Sequence, residues 1–275
     1  MRFVKTALIA VFILAIAVFG VSEGLKLKNR DTTVPKIQSE EDVLEISCEH
    51  TEEDLLKGLS ASDEKDGDLT DKILVGNFSR FIEKGVCNVN YVVFDSSNQS
   101  ATLTRKVRFA DYHSPEFTVQ EPLVFTEGEG SYTEVMEHIG AQDLLDGNLK
   151  DYIRQTETDA VYSKSGSYSI TLEVENSYGD TASQTLPIHV VKEEETSMDI
   201  RLTEGIVYVD AGASVDPYAY IEEVSGSDGK SMDKSSVTVS SGVNTAAPGV
   251  YEIAYHAQDD QGNIGNTWLT VVVRG

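Results

Sequence analysis

Three times along the chain, apolar side chains fall at every second position behind a glycine. In "GVCNVNYVVFDSSN", from Gly85, they are Cys87, Val89, Tyr91 and Val93. In "GSYSITLEVENSYG", from Gly166, they are Tyr168, Ile170, Leu172 and Val174, and in "GVYEIAYHAQDDQG", from Gly249, Tyr251, Ile253, Tyr255 and Ala257. A period of two marks a strand with one buried face. Each run ends at Asp95, Asn176 or Asp259 and a short stretch rich in Gly, Ser and Asn, residues that bond their own backbone and tolerate positive φ. A second alternating run succeeds each turn ("TLTRKVRF", "SQTLPIHV", "NTWLTVVV"), so three hairpins are expected. After residue 22 no segment sustains a long helical period; "TEEDLLKGL" (51–59) and "YTEVMEHIG" (132–140) predict short helical turns between strands.

Two further frames repeat once each. A-x-D-x-x-D-G-x-L begins at Ala61 and Ala141, and D-x-x-x-P-x-(apolar) begins at Asp31 ("DTTVPKI") and Asp111 ("DYHSPEF"). Both pairs are offset by 80 residues, so the chain beyond its start is built from copies of one unit. Regular short strands with turn signals in a unit of that size predict a β-sandwich. The expected fold is all-β, with an N-terminal helix over 1–22, a stalk over 23–30 and three domains over 31–113, 114–195 and 196–275. Copy three is the divergent one. It has "VSGSDGKSMD" in place of the acidic frame and lacks the opening proline.

Arg2 and Lys5 precede "ALIAVFILAIAVFGV" (7–21), which carries no charge. As a helix this run spans about 22 Å against a hydrocarbon core of roughly 30 Å, which suits a signal peptide cleaved near Gly20-Val21-Ser22. Counted from Phe3, with Lys5 snorkelling, it reaches about 28 Å and suits a retained membrane anchor. Either way, the chain beyond Ser22 is expected outside the cytoplasm.

The stretch "DTTVPKI … ASDEKDGDLT … GVCNVNYVVFDSSN" resembles a bacterial Ig-like domain family. That family occurs in tandem on Gram-positive surface and secreted proteins and in some pesticidal crystal proteins. The resemblance covers nearly all of residues 31–275 and is strongest in copies one and two. It implies three Ig-like sandwiches in a row, a role in adhesion, ligand binding or spacing, and no common catalytic residues.

Charge narrows the partners. The 46 Asp+Glu stand against 22 Lys+Arg, a net charge of −24, which repels nucleic acid and anionic lipid headgroups. An extracellular protein or glycan is the expected partner, and the membrane is reached only through the N-terminal segment if that is uncleaved.

The acidic frames supply the metal candidates: Asp63, Asp66 and Asp68 in copy one, Asp143, Asp146 and Asn148 in copy two. Calcium takes six to eight oxygens, and three side chains fall short. Lys65 breaks an EF-hand spacing, and copy two puts Leu144-Leu145 in the spacer. Asp-Gly is also a common turn pair, because glycine takes positive φ without strain. A turn is the first reading, a weak calcium site the second, and no other cofactor is expected. Exposed turn acids lack the raised pKa a glycosidase acid needs. His50, His113, His138, His189 and His256 are scattered, none in an H-E-x-x-H helix, and "TEGEGSY" lacks the lysine of a P-loop. No enzyme is expected.

Trp268 either packs in a core or presents its ring to a sugar. The second option supports an alternative function, a carbohydrate-binding accessory protein working beside a separate hydrolase. Cys48 and Cys87 are too few for a zinc site. Aligning the copies sets Cys48 against Gly128 and Gly212, and Cys87 against Tyr168 and Tyr251. Two cysteines confined to one copy of an exported chain are expected to form a disulfide, the alternative being two separate buried thiols.

Overall fold

The computed structural model describes residues 2–28 and 32–275, with side chains over 11–24 and from 32 onward. The chain divides into two units, Met1–Ala110 and Asp111–Gly275.

The first unit opens with helix α1 (Arg2–Lys28), which runs past the expected end at residue 22 and through most of the expected stalk. Residues 29–31, including Asp31 of the first D-x-x-x-P frame, lie outside the described residues. Described apolar side chains of α1 stand exposed, Phe12 and Leu14 each at 66 %. The membrane span expected of this segment is not shown: among the described residues, no helix is long and apolar enough to cross a membrane.

Copy one is a two-sheet sandwich. Strands β1 (Lys36–Ser39), β3 (Leu59–Asp63) and β4 (Gly67–Asp68) form one sheet in the order β1-β3-β4. Strands β2 (Val43–Ile46), β5 (Leu74–Phe78), β6 (Val86–Phe94) and β7 (Ser100–Phe109) form the other in the order β2-β7-β6-β5, with β2 parallel to β7. The alternating residues Cys87, Val89, Tyr91 and Val93 all point into the core between the sheets. Helix α2 (Glu52–Leu56) starts at Thr51, whose hydroxyl accepts the Asp54 N–H while the Asp54 carboxylate takes the Thr51 N–H. This reciprocal cap compensates for a helix too short to hold itself. Its far end is held from the core, where Tyr91 Oη donates to Leu55 O at 2.9 Å and Arg105 Nη1 to Lys57 O at 2.6 Å.

Copies two and three form the second unit. Copy two has β8 (Glu116–Val119), β9 (Val124–Thr126), helix α3 (Tyr132–His138), β10 (Ile139–Asp143), β11 (Gly147–Asn148), β12 (Arg154–Thr158), β13 (Gly166–Glu175) and β14 (Thr181–Val191). Its sheets run β11-β10-β8 and β12-β13-β14-β9. Copy three has β15 (Asp199–Leu202), β16 (Ile206–Val209), β17 (Ile221–Ser225), β18 (Thr238–Ser241), β19 (Gly249–Gln258) and β20 (Ile264–Val273), in sheets β15-β17 and β16-β20-β19-β18. A 3-10 turn over Pro217–Tyr220 stands where the others have a helix. Each copy repeats the parallel closure, β9 on β14 and β16 on β20.

The three hairpins are built alike. Phe94 pairs with Ser100, Glu175 with Thr181 and Gln258 with Ile264, and the turn residue with positive φ is Asn98, Gly179 or Gly262.

Both cysteines are buried. Strand β7 lies between β2, which leads into Cys48, and β6, which carries Cys87. Burial pushes the Cys87 thiol up to about 11. Its counterparts Tyr168 and Tyr251 instead send their hydroxyls to Lys164 O and Ala247 O, each at 2.9 Å, so copy one lacks this local tie.

Candidate functional sites: acidic turns and an interdomain joint

The six candidate ligands of the acidic frames are placed as turn makers. Asp63 Oδ1 accepts the N–H groups of Lys65 and Asp66 at 2.8 and 3.0 Å, and Asp143 Oδ1 those of Leu145 and Asp146, both at 2.9 Å. Asp68 and Asn148 each accept the N–H two residues on, at 2.9 Å. Asp66 and Asp146 reach across to the hairpin. Asp66 takes Ser96 N–H at 2.6 Å and Ser96 Oγ at 2.9 Å; Asp146 takes Ser177 N–H at 2.5 Å and Ser177 Oγ at 2.8 Å.

The frame is therefore a staple that pins the Asp-Gly turn to the β6–β7 or β13–β14 hairpin. The carboxyl of Asp66 is held below its usual range chiefly by the Ser96 N–H, that of Asp63 by the Asp66 N–H, and that of Asp68 by Thr70. Among the described residues, no group of three His, Cys, Asp or Glu side chains is placed to hold a metal ion.

Trp268 lies at the junction of copies two and three. Its ring stacks on His189 of β14, with centroids 4.0 Å apart and planes at 10°. His189 also meets Glu252 through Nε2 at 2.5 Å and Ser167 Oγ through Nδ1 at 3.2 Å. One face of the indole is thus covered by a histidine. The other histidines sit apart from it: His50 against Phe78 and Phe109, His113 near Glu116, His138 against Phe125, and His256 on Asn266.

A second set of contacts closes the same joint. Arg274 forks onto Glu116, Nε to Oε1 at 2.6 Å and Nη2 to Oε2 at 3.1 Å, a geometry that fixes both position and orientation. Tyr208 Oη accepts the Phe117 N–H at 2.8 Å, and Gly205 N–H donates to Val119 O at 2.8 Å. A Cβ at Gly205 would come within 2.7 Å of the Glu121 backbone, so only glycine allows this approach. Ile206 and Val272 of copy three are buried in the core cluster of copy two. Edge strand β8 is thereby covered by β16, which protects its open hydrogen-bonding groups.

Sequence reasoning missed this joint, because Glu116 and Arg274 are 158 residues apart. Between the two copies lies a cleft of about 490 Å³, lined in part by Thr118, Gln120, Gln142, Glu204 and Tyr220.

Residues 194–273 match the family described as "Bacterial surface protein, Ig-like domain". Copy three is similar to bacterial surface Ig-like domains. The match falls on the copy whose sequence departs most from the other two.

The chain is also 26 % identical over 226 residues to the pesticidal crystal protein Cry22Aa of Bacillus thuringiensis, covering 79 % of this chain and 30 % of that protein. It is 31 % identical over 139 residues to an uncharacterized 81.3 kDa protein of Acholeplasma phage L2, covering 48 % of this chain and 18 % of that protein. The chain thus spans less than a third of either relative's length. Among solved structures, one of Clostridium perfringens ZmpB, containing the M60 catalytic domain with CBM51-1 and CBM51-2, aligns over 89 % of this chain and 31 % of its own. That alignment has 11 % identity and a TM-score of 0.24.

Proposed function

We propose that the chain works outside the cytoplasm as a non-enzymatic Ig-like surface module, with α1 as its export or anchoring segment. In this reading copies two and three act together and present a partner-binding face in a fixed orientation. The joint carries the reading. An Arg–carboxylate fork, a histidine–tryptophan stack, a tyrosine-to-backbone bond and shared apolar packing resist bending between the copies. Its polar groups bond one another, and so hold structure rather than a reacting group. The similarity of residues 194–273 to surface Ig-like domains supports the location.

The test introduces one reactive handle. Glu64→Cys, at an exposed turn, should be labelled in intact cells by a membrane-impermeant maleimide, while the buried native cysteines stay silent. Labelling only after lysis would sink the location, and hydrolase activity from the purified chain would sink the non-enzymatic role.

A second reading places a glycan in the cleft rather than on Trp268, since Gln120, Gln142, Glu204 and Tyr220 offer polar groups and a ring there. Glycan-array binding that Tyr220→Ala abolishes without lowering the melting temperature would favour it.

A further inference from the structure

We propose that copy one alone binds a hard divalent cation of the calcium class between Asp63 and Asp95. The observation is a difference between two copies of one fold. In copy two, Asp143 Oδ2 accepts Asn176 Nδ2 at 3.1 Å. The same Nδ2 reaches Tyr112 Oη at 2.9 Å, and Tyr112 Oη donates to Asp180 at 2.7 Å.

Copy one repeats the backbone. Asp95 N–H donates to Gln99 O at 3.0 Å as Asn176 N–H does to Asp180 O, so Asp95 occupies the place of Asn176. Asp95, however, has no amide to give. Asp63 keeps its Oδ1 bonds to Lys65 and Asp66 and adds Thr33 Oγ1 at 3.4 Å. Its Oδ2 is buried with no hydrogen-bond partner among the described residues. Asp63 is 6 % exposed and Asp95 5 %. Asp95 Oδ1 accepts from Ser97 and Gln99 N–H at 2.8 Å each, while Oδ2, among the described residues, accepts only Gln99 Nε2, at 3.2 Å.

The residue that donates to this carboxylate in copy two is therefore replaced in copy one by an acceptor. An unpaired buried acceptor is costly. A cation supplies the positive charge that the Asn176 amide supplies in copy two. The donors are all oxygen and only two are carboxylates, with water completing the shell. That suits calcium in the weak range of extracellular modules, about 10⁻⁴–10⁻³ M.

Asp66 and Asp68 take no part, because Ser96 and Thr70 already hold their oxygens. In copy three Asp259 Oδ2 accepts Asn263 Nδ2 at 2.7 Å, and β17 ends at Ser225 where β3 ends at Asp63.

Calorimetry on the full chain tests this with calcium chloride against EDTA. One calcium should bind per chain, and about 10 mM should raise the melting temperature of the first unit by more than about 3 °C. Asp95→Asn should remove both effects yet stay folded in EDTA, and Asp143→Asn should leave both intact. No response to calcium, or a response that Asp95→Asn retains, would overturn the site.

Discussion

Tyr208→Phe removes a single oxygen from the joint between copies two and three. That oxygen accepts the N–H of Phe117 at 2.8 Å, and Phe117 is 1 % exposed. Burial raises the Tyr208 hydroxyl's pKa, the mark of a group withdrawn from water. With phenylalanine in place, a buried N–H on edge strand β8 loses its acceptor, and leaving such a donor unpaired costs about 1–3 kcal/mol. For a cooperative unit of 150–250 residues each kcal/mol moves the melting temperature by roughly 2–4 °C, so the expected fall is about 2–12 °C.

Differential scanning calorimetry of the full chain should show it on the transition of residues 111–275 and leave the first unit's transition in place. Tyr152→Phe, at a side chain 64 % exposed, is the control and should stay within about 0.5 kcal/mol. Gly205→Ala attacks the same joint by steric means and should act on the same transition. A shift below about 1 °C, or three separate transitions of which only the last moves, would refute the joint as a unit of stability.

The remaining predictions concern copy one. The folded carboxyls of Asp63, Asp66 and Asp68 are held low by hydrogen bonds, so their stabilisation is complete above the unfolded value of about 3.9 and is lost as pH falls through the lowered folded values. Urea unfolding of the first unit should therefore weaken below about pH 4, and Asp66→Asn should flatten that slope; an unchanged slope would remove Asp66 from the account. Titration of unfolded, unreduced protein from an oxidising compartment decides the cysteines: two thiols per chain, none reactive in the native protein, would mark separate buried thiols, and a count of zero in the unfolded state would establish the bridge.

Alternation in the runs from Gly85, Gly166 and Gly249, and the turn residues after them, determined the hairpins from local chemistry alone. Side-chain period and φ preference are properties of a few neighbouring residues. The acidic frame was legible as a turn for the same reason: Asp-Gly states its backbone demand wherever it occurs. Its second task, reaching Ser96 or Ser177 some thirty residues on, was not legible. The cysteines show the limit from the other side. Their pairing with Gly128, Gly212, Tyr168 and Tyr251 was visible in the alignment, but Gly128 and Gly212 take positive φ and Cys48 does not. Trp268 was legible only as a residue of one strand, and the packing of copy three on copy two gave it His189 as a partner and gave Arg274 Glu116. Strand identity is decided within about ten residues, whereas a joint is decided by where two finished sandwiches meet, and no local pattern encodes that meeting.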